Sequence, residues 1–206
     1  MALILPAVAC GPKSPDYQSI WSTTPTTTTT TTRVEKPVPL SQYLQNIGVT
    51  GQQVAPGNLP DLTVSIPTPP GWTAASNPHI APETLMLSKG GKYPTARLVV
   101  FLLRGDFDPA QVIQHGNDDA QLFENFKQLD ASTTPYNGFP SSMIQGSYDL
   151  DGTRLHSFNR IVIATGSSPA HQRYLVQLTI TGLANQAVEQ STDIETIMRG
   201  FVVAAK

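Results

Sequence analysis

Cysteine is nearly absent from the 206-residue chain, and Cys10 is the single example. One cysteine can form neither an intramolecular disulfide nor a cysteine-based zinc cage. Charge is also scarce and balanced, because 13 Lys and Arg against 15 Asp and Glu leave a net charge of −2. A nucleic-acid binder needs an excess of basic residues on one face, so we expect no nucleic-acid partner.

Long apolar runs are missing as well. A bilayer-spanning helix needs about 18 or more consecutive apolar residues, and no such window occurs. The hydrophobic content of 39% is still sufficient for a packed core. We expect three parts: a truncated lipoprotein signal segment in residues 1–10, a disordered stalk in residues 11–37, and a globular domain in residues 38–206.

The first ten residues have the order of a bacterial lipoprotein signal. An apolar run ends in Ala7-Val8-Ala9-Cys10, which places small residues before a thiol that can receive diacylglycerol. No basic residue precedes Cys10 and Pro6 interrupts the run, so we expect the true start to lie upstream. The alternative is a cytosolic protein with a buried N-terminal strand and an incidental free thiol.

The predicted stalk is rich in proline and threonine, and residues 26–32 are all threonine. Such a segment has too little apolar surface to offset the entropy of ordering it. We expect it to hold the domain away from the membrane surface. Its composition fits both an O-glycosylated stalk and an unmodified linker.

Hydrophobic periodicity divides the globular part into alternating elements. Helices are predicted over residues 40–47, over 109–126 behind Asp108, and from a cap at residues 191–193. Strands are predicted over 62–66, 84–88, 96–103 and 174–180, with loops over 49–60 and 131–140. This order predicts an α+β fold in which helices flank an antiparallel β-sheet, an α/β/α sandwich.

The pair Asp151-Gly152 predicts a two-residue hairpin turn. It pairs Tyr148 with Leu155, and the hairpin's apolar residues gather on one face, which we expect to be the core face. In the next strand, the predicted core-facing residues are Tyr174, Val176, Leu178 and Ile180.

The opposite face of this hairpin is the candidate binding surface. It presents His156, Phe158 and Arg160, and we expect the next strand to add Arg173 and Gln177. An aromatic ring beside cations and amides can stack on a sugar and bond its hydroxyls or a phosphate. Alternatively, a flanking helix covers Phe158, and the two arginines pair with acids or stay solvated.

Trp72 follows the rigid segment Pro67-Thr68-Pro69-Pro70-Gly71. We expect it to plug one end of the core, and the alternative is an exposed platform for a ligand. If the hairpin surface does not bind a ligand, the corner around Trp72 is the next candidate binding site.

Signals for catalysis and for cofactors are missing. The chain lacks a Gly-x-Ser-x-Gly elbow, a His-Glu-x-x-His motif and a glycine-rich phosphate loop. His115 and Asp119 share a helix face at i, i+4, beside Asp118, but no third metal ligand is indicated. We expect no catalytic residue, no metal and no cofactor.

Four segments resemble a known family: residues 9–16, Ser-Ile-Pro-Thr-Pro-Pro-Gly-Trp at 65–72, residues 138–150, and Arg-Tyr-Leu-Val-Gln-Leu-Thr-Ile-Thr at 173–181. They look like the mycobacterial LpqN/LpqT lipoprotein family. The resemblance implies a Mog1/PsbP-like fold, an acyl anchor on Cys10, and residence on the outer side of the plasma membrane. The family supplies no catalytic motif.

We therefore expect a membrane-anchored lipoprotein of the cell envelope that binds an envelope lipid, a glycolipid or an envelope or host protein without catalysis. The alternative is an envelope hydrolase or transferase whose active site has no recognisable motif.

Overall fold

The computed structural model describes residues 37–206, so Cys10 and the predicted stalk up to residue 36 lie outside the described residues. The helices in this part are α1 (Leu40–Asn46), α2 (Pro109–Val112), α3 (Asp118–Gln121) and α4 (Ala187–Arg199). The strands are β1 (Thr50–Val54), β2 (Leu62–Ser65), β3 (Thr73–Ala74), β4 (Leu85–Ser88), β5 (Thr95–Arg104), β6 (Lys127–Ser132), β7 (Ser141–Leu150), β8 (Thr153–Thr165), β9 (Arg173–Leu183) and β10 (Val202–Ala205).

Eight of these strands form one antiparallel sheet in the order β3-β4-β5-β9-β8-β7-β6. The eighth, β1, pairs with the second half of β5, beyond the residues that pair with β4. Strands β2 and β10 form a separate two-stranded sheet. The predicted α+β class, with an antiparallel sheet flanked by helices, is confirmed.

The predicted hairpin is confirmed residue by residue. Tyr148 pairs with Leu155, and Leu150 pairs with Thr153 across the turn. Asp151 and Gly152 have φ values of 50° and 71°, as a type I′ turn requires. A glycine tolerates this left-handed backbone without strain, which explains its place in the turn.

Both faces of the large sheet are buried, each under its own cover. On the first, which we call the α4 face, Phe158 and Leu178 belong to one apolar cluster with Ile194 and Ile197 of α4. The sheet of β2 and β10 contributes to the same cluster. The prediction that the side of the hairpin carrying Phe158 lies away from the core is therefore wrong.

The opposite side of the sheet, which we call the α1 face, is covered at one end by the short helices. Ile161 and Leu175 cluster there with Leu40 and Leu44 of α1 and with Val112 of α2. Strand β9 is central and buried on both sides, so alternate residues along it enter different cores. A prediction with one buried side and one solvent-facing side therefore does not describe β9.

The predicted helix over 109–126 is wrong, because only α2, one 3₁₀ turn and α3 form there. The break falls at Gly116, which lies against strand β7. A Cβ at this position would lie 2.0 Å from Ser142 Oγ, so a helix bearing a side chain could not approach the sheet so closely. Asp108 does cap α2, since its carboxylate accepts from the Ala110 amide at 2.9 Å.

Four strands lie in predicted loops or outside the predicted elements and were missed: β1, β3, β6 and β10. Strand β1 lies in the predicted loop 49–60, and β6 overlaps the predicted loop 131–140. Strands β1 and β6 are polar sheet edges, whose side chains carry little apolar alternation. Helix α4 also begins earlier than predicted, at Ala187, and ends before Phe201.

None of the helices within residues 37–206 has the length and apolar character needed to cross a membrane.

Candidate functional site

The five residues of the predicted binding surface do not share a face. Register places Phe158 opposite Ile180, whereas Gln177 lies opposite Ile161 and Arg173 opposite Thr165. Side chains alternate along strands, so His156, Phe158 and Arg160 project from the α4 face and Arg173 and Gln177 from the α1 face. The prediction of one continuous surface is wrong for this geometric reason.

Intramolecular contacts also occupy these side chains. Phe158 is 3% exposed, as expected if a flanking helix covers it. The Arg160 guanidinium lies 4.7 Å from the ring centroid of Tyr136 and donates to Ser141 Oγ at 3.1 Å. Burial lowers the pKa of Arg160 from its ordinary value. Neither residue presents a surface on which a sugar could stack.

The two residues on the α1 face are held in the same way. Arg173 donates to the Phe107 carbonyl at 2.9 Å and lies 4.8 Å from that ring's centroid. Gln177 is buried and donates to Asn159 Oδ1 at 2.9 Å. Both side chains therefore stabilise the fold where they lie.

Trp72 is buried in the cluster of the α4 face, which confirms that it plugs the core. Its indole Nε1 donates to Asp193 Oδ2 at 3.0 Å, and Lys89 donates to the same oxygen at 2.7 Å. These two hydrogen bonds, the one from Lys89 foremost, lower the pKa of Asp193. The ligand-platform interpretation of Trp72 is wrong, because the ring is not accessible.

His156 lines a groove of about 530 Å³ between strands β7 and β8 of the sheet and α4. It shares a hydrogen bond of 2.9 Å with Gln145, and burial lowers its pKa. The opposite wall contains Val188 and Met198 of α4, and Val188 is 87% exposed. This groove is apolar and holds no cluster of charges.

The half of the α1 face away from α1 is polar although it is buried. Asn159 Oδ1 accepts from Gln177 Nε2 and from Thr179 Oγ1, each at 2.9 Å. Thr181 continues this row along β9 and forms a side-chain hydrogen bond with Tyr148. A buried polar row costs free energy unless every member finds a partner, and these members do.

A cleft of about 140 Å³ opens at the end of this polar row, under the segment that precedes β5. It is lined by Asn77, Ile80, Met86, Lys92, Tyr93, Thr95, Arg97, Tyr148 and Thr181. Two of these residues are cationic and three carry aliphatic or phenolic hydroxyls on strands. None of the nine carries a carboxylate.

The strands fix the walls of this cleft. Thr95 and Arg97 alternate on β5, with Thr95 directly opposite Thr181 of β9. Tyr148 is stacked on Phe123, with ring centroids 4.1 Å apart and planes 13° apart. Burial raises the pKa of Tyr148, so its phenol stays protonated at neutral pH and acts as a hydrogen-bond donor.

A second depression of about 530 Å³ adjoins the cleft and shares Asn77, Ile80 and Met86 with it. We call it the loop groove. It is lined by Ala75, Ser76, Asn77, Pro78, Ile80, Ala81, Pro82, Thr84 and Met86. Its size falls in the range of about 300–1,000 Å³ that is usual for small-molecule pockets.

The predicted helix would place His115 and Asp119 on one face, but in the structure each contacts another residue. His115 Nδ1 instead lies 3.0 Å from Asp118 Oδ2, and its ring stacks on Tyr43. Asp119 accepts from the Leu40 amide at 3.0 Å and so fastens the start of α1. Burial raises the pKa of Asp119 to about 6. Within residues 37–206, no group of three or more potential ligands could hold a metal ion.

One further buried carboxylate serves the fold. Asp61 Oδ1 accepts from the Tyr174 hydroxyl at 2.6 Å, and Oδ2 accepts from the Gln172 amide at 3.0 Å. Both oxygens are thus engaged between β2 and the start of β9. Burial, followed by this hydrogen bond, raises the pKa of Tyr174.

Sequence reasoning missed the cleft because its walls come from separated segments. Lys92 precedes β5, Tyr148 ends β7, and Thr181 lies near the end of β9. One signal was present: Gln177, Thr179 and Thr181 alternate along an otherwise apolar strand. Polar residues at alternate positions of a central strand indicate a buried hydrogen-bond network.

An antiparallel sheet with helices on both faces defines the class of this protein as an α+β domain. The family model described as "Probable lipoprotein LpqN" matches residues 36–204. The chain belongs to this family of lipoproteins, as its sequence motifs predict.

Named relatives of the chain support this family assignment. The "Putative lipoprotein LpqT" of Mycobacterium leprae (strain TN) is 71% identical over 206 residues, which cover 100% of this chain and 94% of that protein. The protein of the same name from Mycobacterium tuberculosis (strain CDC 1551 / Oshkosh) is 64% identical over 204 residues, 99% of this chain and 90% of that protein.

A solved structure shows the same fold. The crystal structure of LpqN, involved in cell envelope biogenesis of Mycobacterium tuberculosis, matches with a TM-score of 0.67 and 19% identity, over 80% of this chain and 96% of that chain. A weaker likeness, with a TM-score of 0.44 and 11% identity, is to the solution structure of cyanobacterial PsbP from Synechocystis sp. PCC 6803, over 71% of this chain and 95% of that chain.

Proposed function

We propose that this protein is a membrane-anchored lipoprotein of the cell envelope whose globular domain binds an envelope lipid, glycolipid or protein partner without catalysis. The observation that carries the proposal is the cleft on the α1 face together with the loop groove beside it. Concave sites with a few polar groups beside apolar walls are typical of ligand binding. The LpqN structure, described as that of a protein involved in cell envelope biogenesis, supports the envelope as the place of action.

The chemistry of the cleft favours binding over catalysis. A hydroxyl nucleophile needs an adjacent base or a lowered pKa. The phenol of Tyr148 has a raised pKa, and the hydrogen bonds of His115 and His156 go to Asp118 and Gln145 rather than to a hydroxyl. These groups therefore donate and accept hydrogen bonds but do not form a nucleophile–base pair.

The binding role is tested by photo-crosslinking in the native envelope. A photoreactive amino acid at position 80, where the cleft and the loop groove meet, is expected to capture lipid or glycolipid that mass spectrometry identifies. The matched control carries the same amino acid at position 129, because Leu129 is 65% exposed on the edge strand β6. Capture at position 80 that does not exceed capture at position 129 would overturn the cleft as the binding site.

The anchor is tested separately. In protein exported through a bacterial lipoprotein signal segment, Cys10→Ala should move the protein from the membrane fraction to the soluble fraction. A single acyl chain binds membranes only marginally, so we expect at least two chains on the modified cysteine. Cys10→Ala protein that stays in the membrane fraction would overturn lipid anchoring at this residue.

The alternative function, an envelope hydrolase or transferase, predicts turnover. Purified protein incubated with envelope esters and glycolipids should then release a product at a rate that Tyr148→Phe reduces. Under the binding proposal we expect no product above the rate without protein, and normal ligand capture by the same sample.

A further inference from the structure

The turn between β4 and β5 reaches both faces of the large sheet. Residues 89–94, which we call the strap, join the two strands beyond their last paired residues. At one end of the strap, Lys89 Nζ lies 2.7 Å from Asp193 Oδ2 of α4. Nearer its other end, Lys92 and Tyr93 line the cleft of the α1 face. The strap therefore connects an ion pair on one face to a wall of the cleft on the other.

The ion pair holds the first end of the strap. Asp193 Oδ2 accepts from Lys89 Nζ and also from the Trp72 indole, the latter at 3.0 Å. The Lys89 stem lies over Gly71, where an added Cβ would be 3.6 Å from Lys89 Cε. The side chains of Lys89 and Asp193 are 46% and 16% exposed. Ion pairs with this access to water are weak and are screened by salt, so the contact can open while the core stays folded.

The tip of the strap is not packed against the rest of the fold. Gly90 and Gly91 have φ values of 68° and 65°, which glycine adopts without strain. Apart from chain neighbours, a Cβ added at either position would have no heavy atom within 4 Å among residues 37–206. Two consecutive unpacked glycines allow large backbone rotations. The strap can therefore swing at its tip once Lys89 is released.

The second end of the strap forms part of the cleft wall. Pro94 and Thr95 are buried, which fixes the chain where it enters β5. Tyr93 precedes them, and the Lys92 ammonium lies 5.6 Å from the centroid of its ring. Burial, and after it the neighbouring Tyr93 phenol, raises the pKa of Tyr148, so the two tyrosines lie close together in the cleft. Movement of Tyr93 would therefore change the opening of the cleft.

We infer that the strap controls access to the cleft, and that the ion pair between Lys89 and Asp193 holds it in the position that narrows the opening. This inference rests on the proposed function and names how ligand entry at the same site is regulated. Lys89 and Tyr93 are joined by at most about 14 Å of chain, so Lys89 held on α4 restrains Tyr93. When Lys89 is released, the glycine tip swings and the wall formed by Tyr93 moves away from Tyr148.

A thiol at the floor of the cleft measures its opening without any ligand. Thr95 lines the cleft and is 7% exposed, so Thr95→Cys in full-length Cys10→Ala protein places the one cysteine there. Its rate of alkylation by iodoacetamide should rise about two- to fivefold when Lys89→Gln is added, the factor that a weak ion pair contributes. With Lys89 present, raising NaCl from about 0.05 M to about 1 M should increase the rate similarly, and with Lys89→Gln it should not.

Two controls isolate the ion pair. Arg199→Gln breaks an exposed ion pair with Glu195 on the same helix, and it should leave the alkylation rate at position 95 unchanged. Ala164→Cys places the thiol in the buried cluster of the α4 face, where the rate reports opening of the core. Lys89→Gln should leave that rate unchanged. A rise of the same size at positions 95 and 164 would overturn the strap, because the variant would then open the whole fold.

An alkylation rate at position 95 that Lys89→Gln does not change would overturn control by the ion pair. Ligand entry is measured separately, by photo-crosslinking at position 80 at short times after mixing purified protein with vesicles of extracted envelope lipid. Lys89→Gln should raise the initial rate of capture by the same factor of about two to five.

The outcomes separate the strap from the proposed function. Faster alkylation with an unchanged rate of capture would overturn the strap as a control of ligand entry and leave binding at the cleft intact. Capture at position 80 that does not exceed capture at position 129 would overturn the proposed site and, with it, the role of the strap in ligand entry. The alkylation rates establish in either case whether the ion pair restrains the strap.

Discussion

The two faces of the central sheet both bury side chains but differ in chemistry. Phe158 and Asn159 are neighbours on β8, both about 3% exposed, and they project to opposite faces. Phe158 belongs to a large apolar cluster, whereas Asn159 is the acceptor for two buried donors. The α4 face holds the fold together, and the α1 face combines a packed end with a polar end.

This difference shows where the fold can accommodate a ligand site. An apolar core is destabilised by any cavity, and on the α4 face the groove that His156 lines has mainly apolar walls. The polar end of the α1 face is satisfied by hydrogen bonds rather than by dense packing alone. Its hydroxyls and cations continue into the open cleft that Tyr148 and Thr181 line.

The largest expected effect comes from removing the Phe158 ring from the apolar cluster of the α4 face. Phe158→Ala should lower the free energy of unfolding by about 3–5 kcal/mol, because it leaves a cavity in a packed cluster. Urea denaturation measures the loss. The control, Leu129→Ala on the exposed edge strand, should change stability by less than about 0.5 kcal/mol. A loss of similar size in both variants would contradict the burial of Phe158.

The corresponding substitution on the α1 face should lower the free energy of unfolding by a smaller amount. Asn159→Leu removes the acceptor of Gln177 and Thr179, and leaving buried donors unpaired costs about 1–3 kcal/mol. In a double-mutant cycle, Gln177→Leu in the Asn159→Leu background should cost less than it does alone. Additive effects of the two substitutions would show that the buried row is not a network.

The stability of the protein should depend on pH through Asp119, which fastens the start of α1. The folded pKa of Asp119, about 6, lies above its ordinary value of 3.8, so the folded protein binds more protons between these values. The contribution of protonated Asp119 to the free energy of unfolding is fully present below about pH 4. It is lost as the pH rises through 6. Asp119→Asn should therefore stabilise the protein at pH 7, on the order of 2 kcal/mol, with no gain near pH 4.

Asp130→Asn on β6 is the control for this pH dependence, since it makes the same chemical change at an exposed position. Denaturation curves between about pH 4 and 7 measure both variants. A stability difference between wild type and Asp119→Asn that does not vary with pH would contradict the raised pKa.

The smallest expected effect lies at the turn, which belongs to neither face. Gly152 has a φ of 71°, and a β-branched residue there is strained. Gly152→Val should destabilise the protein by about 1–2 kcal/mol. Asp151→Asn is the control, because asparagine tolerates the left-handed conformation. A melting temperature equal to that of wild type in the valine variant would contradict the type I′ geometry.

Local sequence was sufficient for the hairpin. The register of β7 and β8 follows from Asp151-Gly152, because a two-residue turn leaves one pairing possible. The strands β4 and β5 and the first helix were also placed correctly to within one or two residues. Each of these elements carries its own turn or periodic pattern.

Other elements depended on distant partners. Strand β1 is defined by its pairing with β5, some fifty residues away, and the helix predicted over 109–126 is broken where Gly116 meets Ser142. In β9 the predicted core-facing residues are buried as expected, but the opposite side is buried too, which its polar residues Gln177 and Thr179 did not indicate. These features require knowledge of what lies above and below the sheet.

The sequence by itself determined the α+β class, the family and the hairpin register, since motifs, turns and alternation are local properties of the chain. Only the tertiary structure decided which layer covers each face of the hairpin. It also placed Phe158 and Arg160 on the face opposite to Arg173 and Gln177. It also brought Lys92, Arg97 and Tyr148 around one cleft. The physical reason is that a side chain's exposure depends on the layer packed against it, which no local pattern encodes.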